Sequence, residues 1–174
     1  DTLYIPGDQH YTPCDYAVEG DYSQAAFLAV LGAAAGDITL TGLRENSLQG
    51  DAVLLDILAR CGAAPVRTGD AVRFARSALT AADIDIADCP DLGPILMVLG
   101  ALCHGTTILR NAARLRLKES DRIAAMEQEL HKFGVAISSS EDTVTIVGGV
   151  PHAPDGPLDA HNDHRVAMSL AVLA

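Results

Sequence analysis

The sequence predicts an α/β protein built on a repeated βαβαββ unit, with helices packed inside and sheets outside. Three observations lead there. Residues 15–76 and 84–148 follow one order of patterns: a short strand, a small-residue apolar helix, a Thr-rich strand, an amphipathic helix and a hairpin. The helix that opens each unit is apolar nearly all round, and such a helix is buried on all sides. The strands keep more polar alternation, which suits a sheet with one face in water. A repeat of this length is too long for a solenoid turn, so the copies are expected to pack pseudo-symmetrically around one core.

The elements follow in order. Tyr16–Glu19 and Ile84–Ala87 are the opening strands, and Ser23–Ala35 and Asp91–Cys103 the apolar helices behind them. A Gly then leads into Asp37–Thr41 and Thr106–Leu109, whose Thr and β-branched residues favour strand. Amphipathic helices are expected over about 50–61 and 119–133, each closed by a C-terminal glycine, Gly62 and Gly134. Hairpins turn through Thr68-Gly-Asp70 and Ser140-Glu-Asp142. A third copy starts near Pro157 and runs into the apolar helix Val166–Ala174. The units are placed at about 14–78, 79–150 and an incomplete 151–174, and 1–13 reads as a strand arriving from another domain.

Composition narrows the function. The 174 residues fit one core, and with 4% aromatics and no Trp that core is built from Ala, Leu, Val and Ile. Twelve Lys and Arg face 23 Asp and Glu, for a net charge of -11. That charge and the few aromatics argue against a nucleic-acid partner. No apolar run is long enough to span a membrane. Cys14, Cys61, Cys89 and Cys103 have no metal or redox spacing and read as reduced core thiols of a cytoplasmic protein. The chain opens on Asp1 and stops at Ala174 inside a helical pattern, so it reads as a piece of a longer protein.

Against this acidic background, Arg110, Arg114, Arg116, Lys118 and Arg122 fall within 13 residues. An acidic chain that gathers its cations in one run is suited to hold an anion there, or else presents a solvated face paired with Glu119 and Asp121. Glu119 is placed either at the core-side mouth of a helix, where Lys118 and Arg122 could tune it for proton transfer, or in a loop ahead of a Ser120 cap. Asp21, Asp91 and Asp163 each stand just before an apolar helix, where Asp is a favoured N-cap. His161-Asn-Asp-His164-Arg165 is a second polar cluster. Two His three apart make a weak metal signal, and Arg165 at a helix mouth reads better as an anion contact. Asn46-Ser47 and Gln49-Gly-Asp51 read as turn and cap residues. No metal or cofactor is expected.

Taken together these residues resemble the 5-enolpyruvylshikimate-3-phosphate (EPSP) synthase family. Its Arg-x-Lys-Glu-Ser/Thr-Asp-Arg signature stands here as Arg116-Leu-Lys-Glu-Ser-Asp-Arg122, and its Asn-Asp-His-Arg motif as Asn162–Arg165. Val18-Glu-Gly-Asp21, Asn46-Ser-Leu-Gln-Gly-Asp51 and Pro90-Asp91 match as well. The related UDP-N-acetylglucosamine enolpyruvyl transferases share the repeat but not the Lys-Glu-Ser-Asp-Arg run.

The resemblance implies a two-domain transferase, each domain three βαβαββ units, of which this chain holds part of one. It implies that phosphoenolpyruvate and shikimate 3-phosphate are the substrates and that the second domain completes the site. Carried over by motif, Asp91 contacts the shikimate hydroxyls and serves as base, Glu119 moves the proton at C3, and Lys118 bridges hydroxyl and phosphate. Arg122 and Arg165 hold phosphoenolpyruvate with His164 nearby. Arg114 departs from the family pattern, which has Asn or an acidic residue there. The alternative is a non-catalytic phosphate-binding module on the same repeat. Glu119 separates the two, because a pure anion binder has no use for a carboxylate in its pocket.

Overall fold

A computed structural model describes residues 2–174. The first residue of the 1–13 segment lies outside the described residues. Three helices, one opening each unit, form the centre: α1 (Tyr22–Ala35), α3 (Gly93–Leu102) and α5 (His164–Leu173). They touch one another, and the two sheets cover α1 and α3 from outside. In the first unit β1 (Asp37–Leu40), β2 (Val66–Thr68) and β3 (Ala71–Ala75) form an antiparallel sheet in the order β1-β3-β2. In the second, β4 (Asp83–Asp85), β5 (Gly105–Arg110), β6 (Ala136–Ser139) and β7 (Thr143–Gly148) form a sheet in the order β4-β5-β7-β6. β4 runs parallel to β5, and the other pairs are antiparallel. The expected inside-out layering is what the chain adopts.

The local reasons are visible in the sequence. Asp21 caps α1 through a bond from the Ser23 N–H at 2.8 Å. Every residue of α3 from Gly93 to Ala101 is buried. Such a crowded helix needs small contact residues: a Cβ at Gly100 would stand 3.1 Å from the Thr107 Cβ of β5 and 3.3 Å from the Ile146 Cβ of β7. The second helices are α2 (Leu54–Arg60) and α4 (Arg122–His131). The glycines that end them have positive φ, +87° at Gly62 and +74° at Gly134, as a left-handed cap demands.

Four expectations need correction. First, no strand forms at Tyr16–Glu19 or elsewhere in residues 2–21. In the second unit Arg110 of β5 clips Asp83 of β4 at 2.5 Å. In the first unit the matching pair, Arg73 with Asp37 at 2.5 Å, lies on the other side, between β3 and β1. Three bonds tie residues 17–20 down, Gly20 N–H to Gly42 O and Arg44 Nη2–H to Ala17 O, both 2.7 Å, and Gln49 Nε2–H to Gly20 O at 2.9 Å. Residues 157–163 contain no strand either.

Second, α1 and α5 are not sheathed on all sides as α3 is. Gln24 and Leu28 of α1 and Ala167 and Ala171 of α5 are exposed. Third, the helix expected from 119 starts at Arg122, because Asp121 caps it through the Ala124 N–H at 3.0 Å. Residues 113–117 form a separate 3-10 turn, and 118–120 cross between the two. A 3-10 turn, Gly50–Val53, also precedes α2. Fourth, the cysteines are not all solitary core thiols. Cys14 is exposed, and the buried Cys61 and Cys103 adjoin each other.

Candidate active site

The N-terminal ends of the three central helices meet, and the 118–122 crossing lies over them. Asp91 sits in the 3-10 turn Pro90–Leu92 ahead of α3 and caps nothing. Its carboxylate is shared instead by three cations: Lys118 Nζ at 3.0 Å, Arg122 Nη1 at 3.1 Å and Arg165 Nη2 at 3.3 Å. Asp163 does cap α5, accepting from the Arg165 N–H at 2.9 Å. A carboxylate has a second oxygen, and here it accepts from Arg122 Nε at 2.8 Å and Ser120 Oγ at 3.1 Å.

Arg122 is the keystone. It is 0% exposed, and its remaining nitrogen, Nη2, donates to Glu119 at 2.6 Å. Three carboxylates from three parts of the chain therefore surround one buried guanidinium. Its planar fork of donors matches them in a way that a lysine ammonium would not. Arg165 lies beside it, nearly buried, and also donates to Ser23 Oγ of α1 at 3.0 Å. Toward solvent the site presents Glu119, whose side chain is 50% exposed, Asp91 at 36% and Lys118 at 25%.

The electrostatics follow from this geometry. Burial alone would raise the Asp91 carboxyl, but Lys118, Arg165 and Arg122 outweigh it and hold it below the ordinary value. Asp163 behaves alike: burial raises it, and the bonds from Arg122, the Arg165 backbone and Ser120 bring it below the usual range. Asp51 goes the other way. Burial first, then the Asp91 charge, push its carboxyl up, with Arg165 and Lys118 opposing. Gly50 lets that turn close on the Asp91 turn, since a Cβ there would stand 2.5 Å from the Asp88 carbonyl oxygen.

Of the residues singled out from sequence, Asp91, Lys118, Glu119, Arg122 and Arg165 come together. His164 does not join them; it is exposed at the first position of α5. The basic run does not converge as one patch. Arg110 pairs with Asp83 on the outer sheet, Arg114 donates to Ala87 O at 3.2 Å, and Arg116 ties Asp121 to Ser140 O. Gln49 does not do local turn duty: its side chain reaches the start of α1, accepting from the Tyr22 N–H at 2.9 Å and donating to Gly20 O at 2.9 Å. His161 and His164 share no partner, since His161 faces Glu129. Sequence reading missed Ser23, and gave Ser120, Asp51 and Asp163 only cap or turn roles. The one available signal was that a capping carboxylate leaves an oxygen free beside an Arg-rich loop.

Chemically, the cluster offers an open ammonium, two open carboxylates and two guanidiniums behind them. It can orient an anion and hold or accept a proton within one small volume. A profile described as EPSP synthase (3-phosphoshikimate 1-carboxyvinyltransferase) matches residues 1–174. The 3-phosphoshikimate 1-carboxyvinyltransferase of Brachyspira hyodysenteriae is 45% identical over 172 residues, 98% of this chain and 41% of that protein. Its counterpart in Clostridium kluyveri is 41% identical over 170 residues, 98% of this chain and 40% of that protein. The chain thus spans about two fifths of the length of these relatives. Among solved structures, EPSP synthase from Acinetobacter baumannii is similar at a TM-score of 0.79 and 29% identity, over 90% of this chain and 39% of that one. The enolpyruvyl transferase NikO from Streptomyces tendae shares the fold, with a TM-score of 0.70 at 22% identity over 90% of this chain and 37% of that one.

Proposed function

Since this chain belongs to the EPSP synthase family, we propose that it forms part of an enzyme that moves the enolpyruvyl group of phosphoenolpyruvate to the 5-hydroxyl of shikimate 3-phosphate. In that reaction the hydroxyl oxygen bonds to C2 of phosphoenolpyruvate as C3 gains a proton. The tetrahedral adduct then loses phosphate from C2 and a proton from C3, which restores the double bond. Two anionic substrates must be held side by side, and the proton must be given and taken back. Clustered cations with carboxylates among them meet both needs.

The residues divide the work by exposure. Asp91, open and held ionised by three cations, accepts the hydroxyl proton. Lys118 beside it bridges the hydroxyl and the phosphate that leaves, and the proton taken up by Asp91 departs on that phosphate. Glu119, half-exposed, delivers and recovers the proton at C3. Arg122 and Arg165 hold phosphoenolpyruvate, and His164, which stands apart from the cluster, is left without a role. Glu119 occupies Arg122 Nη2, so a substrate carboxylate reaches that nitrogen as Glu119 swings away. That exchange would bring the acid and the bound substrate together in one motion. The remaining groups that bind shikimate 3-phosphate come from a second domain, as the chain's two-fifths share of its relatives suggests. A reducing cytoplasm suits the four free cysteines, and among the described residues no helix is long and apolar enough to cross a membrane.

The observation that carries this reading is the open carboxylate Glu119 bonded to the buried Arg122. The test is phosphate release on mixing both substrates, with either the full-length protein that carries this sequence or the isolated 174 residues. Turnover is expected from the first and none above background from the second. Phosphoenolpyruvate binding by the full-length protein without any phosphate release would leave only an anion-binding module.

A further inference from the structure

Two turns along α4 from Arg122, on the same face of the helix, lies a second buried polar cluster built around Glu129. Its side chain is 0% exposed, yet both oxygens are occupied. Lys132 Nζ donates to each at 2.8 Å, the Asp159 N–H donates to Oε2 at 3.0 Å, and His161 Nε2 lies 3.3 Å from Oε1. Lys132 also donates to Pro157 O at 2.8 Å, and the Asp155 N–H donates to Lys132 O at 2.9 Å. One helix turn of α4 thereby grips the loop that leads into α5 at four places.

That loop needs gripping. His161 and Asn162 stand in succession in the left-handed region, at φ 51° and 55°. Neither is Gly, and such conformations persist only where the surroundings enforce them. The His161 N–H donates to Asp159 at 2.7 Å and the Asp163 N–H to Ala160 O at 2.9 Å, so the turn is tight as well. Immediately beyond it come Asp163, which holds Arg122, and Arg165, which holds Asp91 and Ser23. Arg122 is the first residue of the same helix that carries Glu129. Helix α4 thus touches the α5 loop twice, through Arg122 at its first turn and Glu129 at its last.

We propose that Glu129 is a positioning residue of the active site: by clamping Asp159 and His161 it fixes the left-handed turn that aims Asp163 and Arg165 at Arg122 and Asp91. It does not touch substrate. The consequence for catalysis rests on the function proposed above, whereas the consequence for geometry does not.

Two measurements separate these. In the 174-residue chain, the Arg122 Nε–H is buried against Asp163 and should exchange slowly with solvent. Glu129→Gln puts an amide donor among the donors of Lys132 and Asp159 and should speed that exchange at least tenfold. His161→Ala, the milder change, should move it in the same direction by less. Glu127→Gln, on the same helix but bonded among the described residues to Ser139 alone, should leave it unchanged. In the full-length protein, kcat should fall by up to about a hundredfold in Glu129→Gln, as remote misplacement of reacting groups can cause, with a smaller loss in His161→Ala. Unchanged Arg122 exchange in both variants overturns the proposal. So does an exchange that rises equally for Glu127→Gln, which marks general loosening, or a kcat that stays at the parent value while exchange rises. A full-length parent that releases no phosphate defeats the functional reading, and the exchange comparison then still decides whether Glu129 sets the turn.

Discussion

Replacing Arg122 with Ala should cost more stability than any other single change in the cluster. The side chains of Arg122 and Asp163 are both 0% exposed, and they meet at 2.8 Å. Truncating the arginine strands a carboxylate that has no water to turn to. Removing one partner of a buried pair costs about 3–5 kcal/mol. At roughly 2–4 °C per kcal/mol for a chain of this size, the melting temperature should fall by roughly 6–20 °C.

The pH dependence gives the same change a signature. In the parent, Asp163 sits below its ordinary value of 3.8. Its contribution is therefore complete above that value and is lost as the pH falls through the lower folded value. In Arg122→Ala the burial that raises Asp163 goes largely unopposed. Its carboxyl then rises, and protonation relieves the stranded charge, so the gap between variant and parent should shrink on acidification. Asp163→Asn added to Arg122→Ala should recover part of the loss, because Asn still caps α5 but carries no charge. The assay is urea unfolding from pH 7 down to pH 4. A loss under about 1 kcal/mol at neutral pH, typical of an exposed pair, would refute the view that these charges are buried and interdependent. So would a gap that widens in acid.

Other expectations follow from the same geometry. Glu119→Gln in the full-length protein should lower turnover by about a hundred- to ten-thousand-fold while melting near the parent, because its side chain is half-exposed; near-parent turnover would remove Glu119 from catalysis. Asp91→Asn should likewise lose turnover more than stability, since Asp91 caps no helix, and a melting loss with full turnover would reverse that assignment. Gly100→Ala should destabilise despite the better helix propensity of Ala, because the added Cβ crowds Thr107 and Ile146; overpacking of this kind costs about 1–3 kcal/mol, and a melt at or above the parent would show that β5 and β7 give way. Asp91, Asp163 and Glu129 are all held below their ordinary values of 3.8 and 4.5, so stability should fall as the pH drops below about 4, with Asp51 opposing because its carboxyl is raised. Unfolding midpoints across pH 3–6 check the sign.

The repeat, the central helices and both hairpins were legible because each rests on a local pattern: apolar runs, Thr-rich strands, Gly stops. The strand at Tyr16–Glu19 was not, because a strand exists only with its partner, and the choice of Arg73 for Asp37 is a cross-strand fact. The start of α4 was misplaced by three residues, since Glu119, Ser120 and Asp121 could each open a helix and only the bond to Ala124 selects Asp121. At the site, the motif runs pointed to Asp91, Lys118, Glu119, Arg122 and Arg165. What no run could disclose was which cation is buried. Arg114, Arg116 and Arg122 look alike in sequence, yet one lies at the bottom of the cluster and the others tie down loops.

The cluster also has a history in time. Its contacts join residues far apart in the chain: 41 positions between Arg122 and Asp163, 74 between Arg165 and Asp91, and 142 between Arg165 and Ser23. Hairpins and helices need only local closure, but these bonds wait until loops of such length have closed, and long-range contacts of this kind slow folding. The site therefore exists only in the complete fold: its carboxylates and guanidiniums meet when all three helix ends are in place, and any change that undocks α5 returns them to water.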